Sequence, residues 1–198
     1  MIYLDNAATT LHKPEAVKRA VWDAMETMGS SGRGAYPAAL KASRMIYETR
    51  ELAAEFFGAP SPVSVAFTSN ATEALNIAVS GLIRSKDHVI CTQMEHNSVL
   101  RPLYRKEKEG AQLSILPCGD QGIPDMSKLP ELFRKNTRAV ICTHASNVTG
   151  DLNDIRTAAE LCRENGVLFI LDTAQTAGSI PIHMGEMKID VLCFTGHK

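Results

Sequence analysis

The sequence predicts an α/β fold built on a mostly parallel sheet. Short apolar runs alternate with helix-like stretches along the chain, which is the pattern of a layered sheet. Most of those runs are continuously apolar, as strands buried on both faces are. At 198 residues the chain suits one good-sized core and is short for two domains.

The expected strands are Val63–Phe67, His88–Thr92, Gln112–Leu116, Ala139–Thr143, Val167–Leu171 and Val191–Phe194. Helices are expected between them. One starts at Lys13-Pro14-Glu15, where proline suits a first turn, and ends before Gly29. A longer one runs from about Ala38 to Phe57 and stops at Gly58, a good C-terminal cap. A third starts near Ala71 and carries Ala74, Leu75, Ala78 and Val79 on an apolar face. A fourth runs from Asn153 or Asp154 to Asn165, with Gly166 ending it. Gly29–Gly34 reads as a flexible loop. The chain stops at Thr195-Gly196-His197-Lys198, directly after a strand, and this ending reads as a truncation.

A net charge of −1 gives no electrostatic case for nucleic acid or an anionic membrane surface. No apolar run approaches the roughly 20 residues that span a bilayer. Met1-Ile2-Tyr3-Leu4-Asp5 lacks the basic and apolar regions of a signal peptide. A cytoplasmic protein is expected. Cys91, Cys118, Cys142, Cys162 and Cys193 are scattered, odd in number and free of CxxC pairs, which argues against a disulfide framework or a zinc site. No metal ligands are assigned. Cys91, Cys142 and Cys193 read as small buried thiols in strands.

The chemistry-bearing residues follow the strands. Asp172 ends the run before Asp172-Thr173-Ala174-Gln175. Ligands of open α/β sheets bind at the carboxyl ends of strands, and a carboxylate there needs a partner, such as a pyridinium nitrogen. An aspartate ending a strand equally caps the next helix. Lys198 ends the segment VLCFTGHK, and one connecting helix or long loop fits between it and Asp172. The two would then reach opposite ends of one ring; a solvated surface lysine is the plainer alternative. In VAFTSNATEALNIA, Ala71 and Thr72 stand where a helix begins and where backbone N–H groups attract anions. Ordinary capping by Ser69 or Asn70 is the plainer reading. Glu95-His96-Asn97-Ser98 offers an imidazole suited to ring stacking or proton transfer, and Asn147 offers an amide after the strand ending at Thr143.

In order, TSNATEALN, MEHNS, SNVTG, LDTAQTAG and FTGHK, with the opening IYLDNAATT, resemble the class V aminotransferase and cysteine desulfurase family, selenocysteine lyases included. These enzymes depend on pyridoxal 5'-phosphate (PLP) and have fold type I. The resemblance covers nearly the whole chain. It implies the large domain of a three-layer α/β/α PLP-dependent transferase, with residues 1–198 holding an N-terminal segment and most of that domain. The small domain is absent from the chain.

It further implies that Lys198 holds PLP as a Schiff base and moves the substrate Cα proton. Asp172 would pair with the pyridine nitrogen, Gln175 with the phenolic oxygen, and His96 would stack on the ring and assist proton transfer. Ala71, Thr72, Thr195 and His197 would bind the phosphate. Asn147 would lie near substrate and ring oxygen, and Asn6 and Ala7 near the substrate. The implied reaction removes sulfur or selenium from cysteine or selenocysteine and leaves alanine. A class V transamination or another PLP-dependent cleavage is the alternative, and a non-catalytic PLP-fold protein a second. A small amino-acid substrate, a homodimer and a sulfur-acceptor protein are the implied partners. The family continues about as long again after the lysine, with the persulfide-forming cysteine and a carboxylate-binding arginine there. None of the five cysteines here matches that nucleophile.

Overall fold

A computed structural model describes residues 2–119 and 121–198. They divide into two compact units, one of residues 2–67 together with His197–Lys198, the other Thr68–Gly196.

The first unit is helical. Helix α1 spans Glu15–Thr27 behind Pro14, and α2 spans Pro37–Phe57. Helix α2 ends as its sequence dictates, on Gly58 at φ 61°, a left-handed conformation that glycine adopts without a Cβ clash. Gly34 has a second reason to be glycine: a Cβ there would meet the Tyr36 ring at 2.8 Å. The backbone carbonyl of His197 accepts from Thr10 N–H at 3.2 Å, Thr9 Oγ1 at 3.1 Å and Lys13 Nζ at 2.9 Å. Helix α1 has no buried residue, and Trp22 is 62% exposed.

The second unit is a five-stranded sheet in the order β2-β1-β3-β4-β5, parallel throughout. The strands are β1 His88–Thr92, β2 Gln112–Leu116, β3 Thr137–Thr143, β4 Leu168–Asp172 and β5 Val191–Cys193. Its helices are α3 Ala71–Leu82, α4 Asn97–Lys108, the single turn α5 Leu129–Leu132, and α6 Ile155–Glu164. Side chains alternate across a strand, so the sheet has two apolar faces. Val89, Cys91, Ala139, Ile141 and Ile170 pack with Leu75 and Val79 of α3, with Ile83 just past its end, and with Val99 and Leu103 of α4. The opposite parity faces α6, which lies against β3 and β4 and buries Ala158, Ala159 and Cys162. Helices thus cover both faces, the three-layer α/β/α arrangement. Strands β1 and β3 start their connections on opposite faces, α4 on one and α6 on the other. That is a topological switch point, where a crevice opens at the carboxyl ends.

Five of the six expected strands form within two residues of their expected ends. The sixth does not: Val63–Phe67 is no strand. Pro62–Ser64 forms a 3₁₀ turn capped by the Ser61 side chain, and Val63 is 78% exposed. A strand must have its N–H and C=O groups paired, and no described strand pairs with this segment. Helix α4 has no counterpart in the sequence expectation, because Pro102 lies in its interior and a charged run fills its last turn. Among the described residues no helix is long and apolar enough to cross a membrane.

The core location predicts unequal costs. Ile141→Ala empties a fully buried site between α3 and the sheet and should cost about 2–5 kcal/mol. Val63→Ala should stay within about 0.5 kcal/mol. Urea unfolding of both variants checks this, and equal costs would contradict the placement of the core.

Candidate functional site

The carboxyl edge of the sheet gathers the polar residues of the second unit. Helix α3 starts there. Asn70 caps it, Oδ1 accepting from Glu73 N–H at 2.9 Å, and the Glu73 carboxylate reaches back to Ser69 N–H at 2.5 Å. Hydrogen bonding from Ser69 holds the Glu73 carboxyl below the usual carboxylate range. The plain capping reading is therefore realised, and it leaves the first-turn N–H groups of Ala71 and Thr72 without partners inside the helix.

Thr72 is tied to the next helix start. Its Oγ1 lies 2.7 Å from Ser98 Oγ, and Ser98 Oγ lies 2.8 Å from His96 Nδ1. Ser98 N–H also donates to Nδ1 at 3.1 Å. A nitrogen that accepts a backbone N–H carries no proton, so the neutral imidazole holds its hydrogen on Nε2. His96 is exposed and is itself the N-cap of α4. Hydroxyl, hydroxyl and imidazole thus form one chain from the start of α3 to the start of α4.

Asp172 ends β4 as expected and is 4% exposed. Its parity is that of Ile170, on the face of α3 and α4. Oδ1 accepts from Ala174 N–H at 3.0 Å, a turn contact; no described helix follows β4, so the expected alternative of a helix cap does not form. Its backbone carbonyl accepts from His144 N–H at 2.8 Å. Gln175 follows, half-buried, in the turn that β4 leads into. That turn is fastened to β5: Thr173 N–H and Oγ1 donate to Cys193 C=O at 2.8 and 3.1 Å. Thr195 is half-buried just past β5.

After β3, Asn147 is exposed in a turn shaped by Ser146, whose Oγ accepts from Val148 and Thr149 N–H, both at 3.2 Å. His144 is buried, with Nδ1 2.9 Å from Thr176 Oγ1, and burial lowers its pKa. Asn153 Nδ2 donates to Thr143 C=O at 2.6 Å.

The structure therefore brings Ala71, Thr72, His96, Asn147, Asp172, Gln175 and Thr195 into the second unit. Asn6, Ala7, His197 and Lys198 belong to the first, all exposed. Sequence reasoning did not assign roles to Ser98, Glu95, Thr143, His144 or Asn153. Nothing in a single serine or asparagine marks it; only the fold gives each its partner. Among the described residues no group of three or more His, Cys, Asp or Glu side chains is placed to hold a metal ion.

The family model described as aminotransferase class V matches residues 2–198. The cysteine desulfurase IscS of Vibrio campbellii is 34% identical over 203 residues, covering all of this chain and 50% of that protein. A probable cysteine desulfurase of Methanothermobacter thermautotrophicus is 33% identical over 199 residues, with 100% and 49% covered. The apo structure of a cysteine desulfurase from Thermococcus onnurineus superposes with a TM-score of 0.92 at 30% identity, over 100% of this chain and 50% of that one. A structure of SspA in complex with cysteine superposes with a TM-score of 0.92 at 28% identity, over 98% and 57%. The chain spans about half the length of the curated relatives it matches.

Ser98→Ala removes the hydroxyl contact to His96 Nδ1 and keeps the backbone N–H donor, so the ring should keep its tautomer. Imidazole ¹⁵N NMR should report the Nε2–H form in wild type and variant alike. A mixture of tautomers in the variant would show that the hydroxyl, and not the backbone N–H, sets the tautomer.

Proposed function

Because the chain belongs to the aminotransferase class V family, we propose that it binds pyridoxal 5'-phosphate and takes part in removing sulfur from cysteine, with alanine as the other product. The observation that carries this reading is the composition of one sheet edge. An anion-attracting helix start, a neutral imidazole and a buried carboxylate all stand at the carboxyl ends of parallel strands.

The donor set fits such a cofactor. A phosphate suits the N-terminus of α3, where backbone N–H groups, the Thr72 hydroxyl and the helix dipole act together. Asp172, a buried carboxylate at the end of β4, suits a protonated pyridine nitrogen. When bound, PLP supplies an aldehyde for the substrate amine and an electron sink for the bond broken at Cα. In this reading Asp172 holds the pyridine N–H, and Gln175 donates to the phenolic oxygen. His96 stacks on the ring and assists proton transfer. Thr195 and His197 join Ala71 and Thr72 on the phosphate. The Lys198 amine anchors the cofactor and then moves the Cα proton as general acid and base. Asn147, Asn6 and Ala7 are assigned to the substrate side. The roles of Lys198, His197, Asn6 and Ala7 rest on the motifs FTGHK and IYLDNAATT alone.

The substrate class is supported by the relatives, which carry the name cysteine desulfurase. The five thiols here support a sulfur acceptor outside their number. Burial pushes all five up, Cys162 and Cys193 to about 12, and the nucleophile is a thiolate. In the same reading residues 1–198 are an N-terminal segment and most of the large domain of a longer protein, whose small domain the chain does not contain. The exposed apolar side chains of α1, including Val21, Trp22 and Met25, support a homodimer. A cytoplasmic location and a sulfur-acceptor protein complete the reading.

The test is a visible spectrum of the intact protein with PLP, before and after borohydride, followed by mass mapping and by product analysis with cysteine. We expect a reducible absorbance band, the mass increment on Lys198, and alanine with an equivalent of acceptor-bound sulfur, which a thiol reductant added to the assay releases as sulfide. Asp172→Ala should lower turnover about 10- to 100-fold, from ~1.5–3 kcal/mol for a hydrogen bond to a charged group. A label on another residue would overturn the anchor. Keto acid without alanine would replace sulfur removal by transamination.

A further inference from the structure

The carboxyl edge of the sheet contains two buried carboxyls among the described residues, Asp172 and Glu95, and the reading above employs only the first. Glu95 follows β1 and is 7% exposed. Its Oε1 accepts from Thr92 Oγ1 at 2.5 Å and from Thr143 N–H at 2.8 Å. One donor comes from the end of β1, the other from the end of β3, so the side chain spans the switch point. Two donors on one oxygen suit either form of the group, so its protonation is decided at the second oxygen. The other oxygen, Oε2, is sealed from solvent and has no hydrogen-bond partner. A negative charge left there would be a buried charge without compensation. A hydroxyl in the same place leaves one donor unmade, a much smaller cost.

We infer that Glu95 is a positioning residue, an uncharged carboxylic acid that ties the end of β1 to the end of β3 and adds no second buried charge beside Asp172. Its purpose rests on the cofactor reading; its bridge and its proton belong to the cofactor-free fold. The bridge sits at the base of both loops in question, with His96 next in sequence on one side and His144 to Asn147 on the other. Replacing the acid by a second carboxylate charge would place two like buried charges at one edge.

The electrostatics agree with the geometry. Burial, and to a lesser degree the Asp172 charge, push Glu95 up to about 8 from its ordinary 4.5, against the opposing effect of its hydrogen bonds. The other groups around it are the Cys91 thiol of β1 and the Cys142 thiol of β3, both pushed up by burial, Asp172 of β4, and the His96 and His144 imidazoles. The folded state keeps a proton that the unfolded chain gives up. Stability from Glu95 is therefore complete below pH 4.5 and declines as pH rises to about 8.

The experiment is urea unfolding of the cofactor-free intact protein across that pH interval, with wild type, Glu95→Gln and Glu95→Ala side by side. The histidines, thiols and Asp172 are common to all three, so the comparison isolates Glu95. Relative to Glu95→Gln, the folded-to-unfolded ratio of the wild type should fall more than tenfold from the acid to the alkaline end, since a proton held only by the folded state changes that ratio by about tenfold per pH unit. A ratio that is constant or rises with pH means a charged Glu95 and overturns the inference. Infrared spectra at neutral pH should show a carboxylic-acid C=O stretch that Glu95→Gln removes; its absence in the wild type would also overturn it. Both measurements stand if Glu95→Ala does not fold. For position, a PLP titration should find Glu95→Gln within about threefold of wild type and Glu95→Ala about tenfold weaker, the loss of two bonds. Equal affinities would show that the bridge positions nothing. Failure of the wild type to take up PLP at all would instead sink the cofactor reading, with the protonation of Glu95 still decided by the first two measurements.

Discussion

The parallel ladder between β1 and β3 is the constraint on which the rest of the site depends. Val89 pairs with Ala139 and Cys91 with Ile141, and both strands are buried over almost their whole length. Parallel strands cannot be joined by a tight turn, so each needs a crossover. Here the crossovers leave to opposite faces. The two strand ends cannot be covered by a common loop, and polar groups at that edge face a crevice rather than a lid of backbone. Thr92, Glu95, Thr143 and His144 are buried where an all-apolar strand pair would need none of them.

Those buried polar groups are tolerated only because each is answered by another. Asn153 takes the Thr143 carbonyl, Thr176 takes the His144 ring, and Thr173 takes the Cys193 carbonyl. Each bond contributes modestly, about 0.5–1.5 kcal/mol net, but breaking one leaves a buried orphan, which costs more. This asymmetry makes the edge rigid without any contribution from a ligand. The same logic at the opposite end of β1 seats His88 between Thr137 Oγ1 at 2.8 Å and Ser114 Oγ at 2.9 Å. Burial, with the Arg134 charge second, lowers its pKa to about 4, so that imidazole is a neutral structural part of the sheet.

The fold was largely legible in the sequence because its signals are local. Continuous apolar runs marked β1, β3 and β4, and Gly58 and Gly166 marked two helix ends. The failures are non-local. Residues 63–67 are apolar enough for a strand, yet a strand exists only with a ladder partner. Helix α4 carries Pro102 against local propensity, and its buried Val99 and Leu103 are stabilised by packing on α3 and the sheet. At the site, Asp172, His96 and Thr72 were visible because motif order exposed them. Ser98 was not, since its meaning lies in two contacts made across two helix starts. Glu95 stood in a quoted motif and still drew no role, because its burial and its bridge to Thr143 arise only when β1 and β3 lie side by side.

The thiols and the carboxyls of the second unit respond to one environment with opposite consequences. Low polarity around β1, β3 and β5 holds Cys91, Cys142 and Cys193 as thiols and Glu95 as an acid, since every one of these groups is neutral when protonated. Asp172 lies at the same edge but at the end of its strand, where Ala174 N–H already meets one carboxylate oxygen. A neutral Glu95 removes the nearest like charge from it. An environment that holds the neighbouring buried groups neutral makes a buried carboxylate a stronger partner for a cation. Under the proposed cofactor reading, that cation is the protonated ring nitrogen.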